Sequence, residues 1–341
     1  MKAAVMHEVN NIVFEEVPKP SPKKGELLVR VRATRVCKTD VQMYRGIMPG
    51  AFLPRILGHE PAGEVAEVGD GVSGFKPGDK VAIDPLVYCG KCYFCRIGLN
   101  NLCENGGLMG REANGSFAEY AIITPERAMK ISDRISFDVA CFTEIVGSVY
   151  RSQCKAQLLG PGASVLILGL GSVGMIQTQF AKLAGANPII GVSRSQWKLD
   201  LALQLGADVV IDANKEDTVE ALRRLTPHGG ADVVIEAAGV PATIQQSYHL
   251  VRPGGEVIQY VIGPSSADNI NTYLQYYKEL TVYGVRAFTY SEFSISTKFL
   301  EDQSIRIEPI ITHKLPLKQT VEGLELSEKQ PGKGLGIVIN S

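Results

Sequence analysis

Between residues 164 and 285, six short apolar runs alternate with amphipathic stretches. The runs are SVLIL (164–168), IIGV (189–192), DVVI (208–211), DVVIE (232–236), EVIQYVI (256–262) and LTVYGV (280–285). The stretches between them cover 173–184, 196–205, 216–225, 242–251 and 272–279. Strands of an antiparallel sheet with one wet face alternate apolar and polar residues. Strands covered by helices on both faces do not, and read as continuous apolar runs. The pattern therefore predicts an α/β fold with a doubly wound, parallel, six-stranded sheet.

The remainder of the chain has a different rhythm. Residues 1–151 carry short β runs such as LLVRVRA (27–33) and KVAI (80–83), separated by turn signals such as Pro77-Gly78-Asp79. After 288 the pattern turns irregular again, with one helical stretch (294–301) and a glycine-rich end. The expected organisation is a strand-rich domain made of 1–151 and 288–341, and a second domain over 152–287. The length of 341 residues suits two domains of ordinary size. With 35 Lys+Arg against 36 Asp+Glu, there is no field to attract nucleic acid or an acidic membrane. No apolar run approaches the roughly 20 residues that span a bilayer. The N-terminus alternates like a strand and lacks a signal-peptide core, so the expected location is cytoplasmic.

Four of the seven cysteines, Cys89, Cys92, Cys95 and Cys103, fall within 15 residues as C-x2-C-x2-C-x7-C. A tetrahedral Zn²⁺ site takes four thiolates, and C-x2-C turns let neighbouring thiolates converge on one ion. Four unrelated thiols do not account for such clustering, and disulfides do not suit a chain read as cytoplasmic. The lobe is expected to hold one closed, structural zinc.

Gly169, Gly171, Ser172, Val173 and Gly174 lie in a G-x-G-x-x-G loop after the first apolar run and before a helical stretch. In that context the loop is a dinucleotide fingerprint. The glycines permit the tight turn, the approach of pyrophosphate and close helix packing, and the helix N-terminus favours the anion. An NAD enzyme places an acid at the end of the second strand. Here Ser193 and Arg194 stand there, with Lys198 one turn further, and no acid repels a 2′-phosphate. NADP is the preferred expectation, with NAD as the alternative. A solvated loop carrying ordinary surface charges is the plain reading of the same residues.

Cys37 in VCKTD, His59 in LGHE and Glu144 in CFTEIVGS are each weak signals alone. A catalytic zinc has three protein ligands of mixed type and an open position; a buried thiol, a satisfied histidine and a helix N-terminal acid explain them equally well. Their frame adds more. GHEPAGEVAEVGDGVSGFKPGDKVAI (58–83) resembles the signature of the zinc-containing medium-chain dehydrogenase/reductase family, and the cysteine lobe follows at the usual distance. CKTD and EIVGSVYRSQ resemble two further segments of that family, and the resemblance spans essentially the whole chain.

The resemblance implies a GroES-like, β-rich catalytic domain beside the Rossmann domain. It implies a catalytic zinc on Cys37, His59 and Glu144, with Glu60 entering when ligands exchange, Asp40 orienting His59 and Thr39 relaying the proton. It also places Ala238, Gly239, Val261 and Arg286 near the cofactor, although plain sheet-end turns fit these positions too. Two positions depart from the family: Gln42 replaces a proton-passing histidine and Ile145 replaces a proline. The expected activity is zinc-dependent hydride transfer between NADP(H) and a polyol or secondary alcohol, or its ketone. An NAD-dependent L-threonine or sugar-alcohol dehydrogenase is the alternative; a non-catalytic sensor or structural protein is the alternative of another class. Tyr44, Arg45, Phe52, Arg111 and Phe117 fall near the implied substrate pocket. A homo-oligomer, tetramer or dimer, is expected by the same resemblance.

Overall fold

The computed structural model describes residues 1–48, 52–261, 270–329 and 333–341. Ile262, the last residue of the fifth apolar run, lies outside them. The chain divides into two compact units. One comprises Met1–Gly147, Phe288–Gln303 and Ile307–Ser341; the other comprises Ser148–Ala287 and Ser304–Arg306.

The second unit is built on six parallel strands: Val165–Leu168, Ile189–Ser193, Val209–Asp212, Ala231–Glu236, Val251–Gln259 and Thr281–Gly284. Their spatial order, numbered along the chain, is 3-2-1-4-5-6. The order reverses between the first and fourth strands, which is where open α/β sheets bind ligands. Five helices connect the strands: Ser172–Leu183, Gln196–Gln204, Thr218–Leu225, Pro241–Leu250 and Thr272–Tyr277. Leu166, Leu168, Ile190, Val234 and Val257 form the buried heart of this unit, as expected for strands covered on both faces. The fifth strand starts at Val251, five residues before its apolar run. Pro253-Gly254-Gly255 reads as a turn, but here it is an irregularity inside a paired strand.

The first unit centres on a seven-stranded sheet. Its main path runs through Ala128–Lys130, Lys80–Ile83, Glu60–Val68, Leu27–Arg35, Gly336–Asn340 and Ile311–Pro316, and Tyr120–Ile123 also pairs with Leu27–Arg35. The last strand runs antiparallel to Leu27–Arg35, with Val338 opposite Arg35. Leu27, Val29, Val31, Val65 and Val81 are fully buried on this sheet. The short pair Leu86–Val87 and Gly107–Leu108 closes the root of the cysteine lobe. Among the described residues, no helix is long and apolar enough to cross a membrane.

Candidate metal centres and dinucleotide loop

Cys37 stands at the N-cap of helix Lys38–Tyr44, and its backbone N–H donates to Asp40 Oδ2 at 3.0 Å. Asp40 is fully buried. Its Oδ1 accepts from the Gly58 N–H at 3.1 Å and lies 2.9 Å from His59 Nδ1. A carboxylate there fixes the proton on Nδ1 and leaves the Nε2 lone pair free for a metal.

Glu60 opens the next strand, opposite Arg35 in register. The Arg35 guanidinium donates to both Glu60 oxygens and lies 5.5 Å from the centre of the Phe142 ring. Donor atoms of Cys37, His59 and Glu60 all lie within 4.8 Å of one another. Glu144 is not in that group of three. It sits in the first turn of helix Thr143–Lys155, near enough to Glu60 for that acid's charge to act on it.

The electrostatics suit a dication. Burial, then the charge of Glu60, pushes the Glu144 carboxyl up to about 8, against the pull of His59 and Arg35. Burial opposes an imidazolium at His59, yet Asp40 and Cys37 hold it well above its usual range. His59 and Glu144 hold their protons more tightly than usual because the acidic groups around them are crowded together. A divalent ion relieves that crowding, and the donor set of S, N and O suits zinc.

The cysteine lobe has a different construction. Its four sulfurs lie within 4.8 Å of one another, and Cys92 and Cys103 are 3.9 Å apart. Four sulfurs about 2.3 Å from one tetrahedral ion are about 3.8 Å apart, so the set fits zinc and is far too open for disulfides. The backbone N–H of Cys89 donates to Cys103 Sγ, and that of Cys92 to Cys89 Sγ, at 3.3 and 3.4 Å. N–H groups of Lys91 and Cys92 draw the Cys89 thiol down to about 6, while burial and its neighbours push Cys95 up to about 12.

Thr39 is half-buried, and its hydroxyl has no hydrogen-bond partner among the described residues. The substrate-pocket candidates are largely committed elsewhere. Arg45 forks Glu328, with Nε and Nη2 each donating to Oε2, at 2.9 and 2.6 Å. The Tyr44 hydroxyl donates to the Asn10 carbonyl, Arg111 pairs with Glu112, and Phe117 is fully buried in the core. Phe52 is 73 % exposed.

In the second unit, Gly169 has φ 97°, and a Cβ there would lie 2.8 Å from Ala238 Cβ. A Cβ on Gly174 would lie 2.0 Å from the Gly169 carbonyl. These two glycines are demanded by packing. Gly171 is not, since a Cβ there meets no protein atom within 4 Å. It is the N-cap of helix Ser172–Leu183 and has no side chain with which to cap it.

Ser193 and Arg194 lie at the end of the second strand. The Ser193 hydroxyl accepts from the Ser195 N–H at 3.2 Å, and Arg194 is exposed. Lys198 is 8 % exposed, and burial lowers its pKa. Asp212 is the cross-strand partner of Ser193 and was not foreseen, because strand register is invisible in a list of residues. Its carboxylate accepts from the Asn214 N–H and pairs with Lys215 at 3.1 Å. Val261 is half-buried, and Arg286 is exposed. Arg35 was also missed. One signal existed: it shares strand parity with Leu27, Val29, Val31 and Ala33, so a charge stood on the inward series.

Residues 23–133 match the alcohol dehydrogenase GroES-like domain, and residues 172–302 match the zinc-binding dehydrogenase domain. The chain belongs to the zinc-containing medium-chain dehydrogenase family. It is 36% identical to an L-threonine 3-dehydrogenase of Pyrococcus furiosus, over 89% of this chain and 87% of that protein. A sorbitol dehydrogenase of Bacillus subtilis is 32% identical, over 95% and 93%. A zinc-binding dehydrogenase of Sinorhizobium meliloti, solved bound to NADP, superposes with a TM-score of 0.92 at 29% identity, covering 100% of this chain and 99% of that one. The family is one of oxidoreductases.

Proposed function

We propose that this dehydrogenase transfers hydride between NADP(H) and a polyol or secondary alcohol, or the corresponding ketone. The convergence of Cys37, His59 and Glu60, with Asp40 fixing the histidine tautomer, carries this reading. Those three residues would hold the catalytic zinc, with Glu144 against Glu60 as the exchange partner. Cys89, Cys92, Cys95 and Cys103 would hold a structural one. The catalytic zinc supplies Lewis acidity toward an alcohol or carbonyl oxygen. Thr39 Oγ1 would accept the alcohol proton in oxidation as its own hydroxyl proton passes on to water or a ribose hydroxyl, and the reverse would run in reduction. Gln42 carries an amide, which does not titrate, so the relay beyond Thr39 does not run through its side chain.

The open space at Gly171, at an uncapped helix start, supports pyrophosphate binding there. Ala238, Gly239, Val261 and Arg286 belong to the same cofactor site in this reading. Arg194 and Ser193 support NADP, and Asp212, the register partner of Ser193, is paired with Lys215 at 3.1 Å. A second reading, NAD-dependent oxidation of L-threonine or a sugar alcohol, is favoured by the names of the curated relatives. Turnover of polyols, secondary alcohols, threonine and ketones with each cofactor, beside metal analysis, decides between them. Preference for NAD and threonine overturns the first reading; one zinc per chain without turnover overturns both in favour of a binding protein. In an NADP enzyme, Ser193→Asp lowers kcat/KM for NADP about 10- to 100-fold and spares NAD.

Among the described residues, the sixth strand, Thr281–Gly284, is paired on one side only, and Tyr273, Tyr276 and Tyr277 nearby in sequence are 64–81% exposed. This open edge supports a homo-oligomer, which light scattering on the purified protein tests.

A further inference from the structure

Leu168 ends the first parallel strand and Glu236 ends the fourth, and the two are register partners at the point where strand order reverses. The turns that follow them differ. The turn after Leu168 leads through Gly169 and Gly171 into a helix start without a capping side chain. The turn after Glu236 is closed by the chain's own carboxylate. Glu236 Oε1 accepts from the Ala238 N–H at 3.0 Å, the Gly239 N–H at 2.8 Å and the Thr243 hydroxyl at 2.7 Å. Thr243 lies in the first turn of helix Pro241–Leu250. Glu236 is 0 % exposed, and its Oε2 has no hydrogen-bond partner among the described residues.

Buried N–H groups of a turn, like those of a helix end, need an acceptor. Ahead of helix Pro241–Leu250, Glu236 supplies it from within to Ala238 and Gly239. The backbone it gathers is also what the dinucleotide loop leans on. A Cβ at Gly169 would meet Ala238 Cβ at 2.8 Å, and Ala238 Cα and N at 2.9 Å. The Ala238 nitrogen in that contact is the one that donates to Glu236.

We propose that Glu236 is a positioning residue for dinucleotide binding, an internal hydrogen-bond acceptor that closes the turn after the fourth strand and braces Ala238 against Gly169. This rests on the reading that the parallel-sheet unit binds NADP(H). Without the side-chain oxygen, two N–H groups are left unsatisfied, while the Thr243 hydroxyl keeps the Val240 carbonyl at 2.9 Å, so the turn must move to reach water. Ala238 moves with it, and the loop after the first strand loses the wall that sets its shape. Pyrophosphate held by backbone N–H groups tolerates little displacement, since such bonds weaken steeply with misalignment.

The test uses the full-length, zinc-loaded protein. NADPH and NADH are titrated by fluorescence, hydrogen exchange is followed across residues 237–243 without ligand, and melting temperature and zinc content are recorded. Glu236→Gln keeps an acceptor oxygen in the same place and binds NADPH within about twofold of wild type. Glu236→Ala weakens NADPH binding about tenfold or more, raises KM for the cofactor more than it lowers kcat, and speeds exchange at Ala238 and Gly239, with zinc content unchanged. Should Glu236→Ala fail to fold, Glu236→Asp, whose shorter side chain withdraws the oxygen, gives the same readout. Wild-type affinity in the alanine or aspartate variant overturns the inference. So does a glutamine variant as weak as the alanine one, because charge rather than turn geometry would then be at work. If the wild type binds neither nucleotide, the cofactor reading itself falls and takes the inference with it. Binding by the wild type with no loss in the variants sinks the inference alone.

Discussion

The two candidate metal centres of the first unit are assembled in opposite ways. The cysteine lobe draws all four donors from residues 89–103, and each of them keeps some exposure. The mixed centre draws Cys37, His59 and Glu60 from a helix start and a strand start, with Glu144 added from a helix more than 80 residues on. His59 and Glu60 are almost fully buried. The lobe's geometry comes from turns and backbone N–H groups within one short segment. The mixed centre depends on the sheet that sets Arg35 opposite Glu60. A local site with little core of its own is held together by its ion; an assembled site is held by the core around it.

Substitutions can break or sharpen that contrast. The largest effect is expected on turnover. Cys37→Ala should lower it by about 10³-fold or more, the loss of several kcal/mol of charge stabilisation, while circular dichroism stays native and zinc falls from two to one per chain. Cys95→Ala should instead cost stability, on the order of several kcal/mol, because a structural zinc contributes folding free energy. Urea unfolding with metal analysis reads this. If both variants simply unfold, the two centres are not different in kind. Glu60→Gln should cost about 3–5 kcal/mol, since it weakens the partner of a buried guanidinium, and it should also lower zinc affinity. Glu144→Gln should leave zinc content nearly intact; equal zinc loss in the two variants would make Glu144 a full ligand.

The smallest effect concerns the root of the cysteine lobe. Asp84 is buried, and its Oδ1 accepts from the Leu86 N–H at 2.8 Å. Burial pushes its carboxyl up to about 7, against that N–H and Arg127. A carboxyl whose folded pKa lies above its unfolded value binds its proton more tightly when folded. It therefore favours folding at low pH, and that advantage is lost as pH rises from about 4 to about 7. The slope is at most about 1.4 kcal/mol per pH unit. Urea midpoints across this range should fall more steeply for wild type than for Asp84→Asn.

The contrast also explains what could be read from the chain. The lobe, the glycine loop and the six strands are written in local spacing. Arg35, Glu236 and Asp212 are not, because each takes its part from a neighbour supplied by strand register or by a turn. The fifth strand was shortened in the reading because Pro253-Gly254-Gly255 is ordinary turn chemistry. Helix Tyr290–Glu301 was expected to start at 294. The signal for its true start was present as a capping box, with Glu292 accepting from the Thr289 N–H at 2.5 Å. Glu144 was legible as an acid in an apolar stretch, but its place beside Glu60 rather than within the group of three donors belongs to the folded state alone.

The strand Gly336–Asn340 closes against residues 33–35, far away along the chain. Such a pairing must shut a long loop before its hydrogen bonds return anything. The sheet edge beside the guanidinium that grips Glu60 is therefore a late, non-local contact, and a folding intermediate that lacks it would carry its metal-binding residues on an unfinished sheet.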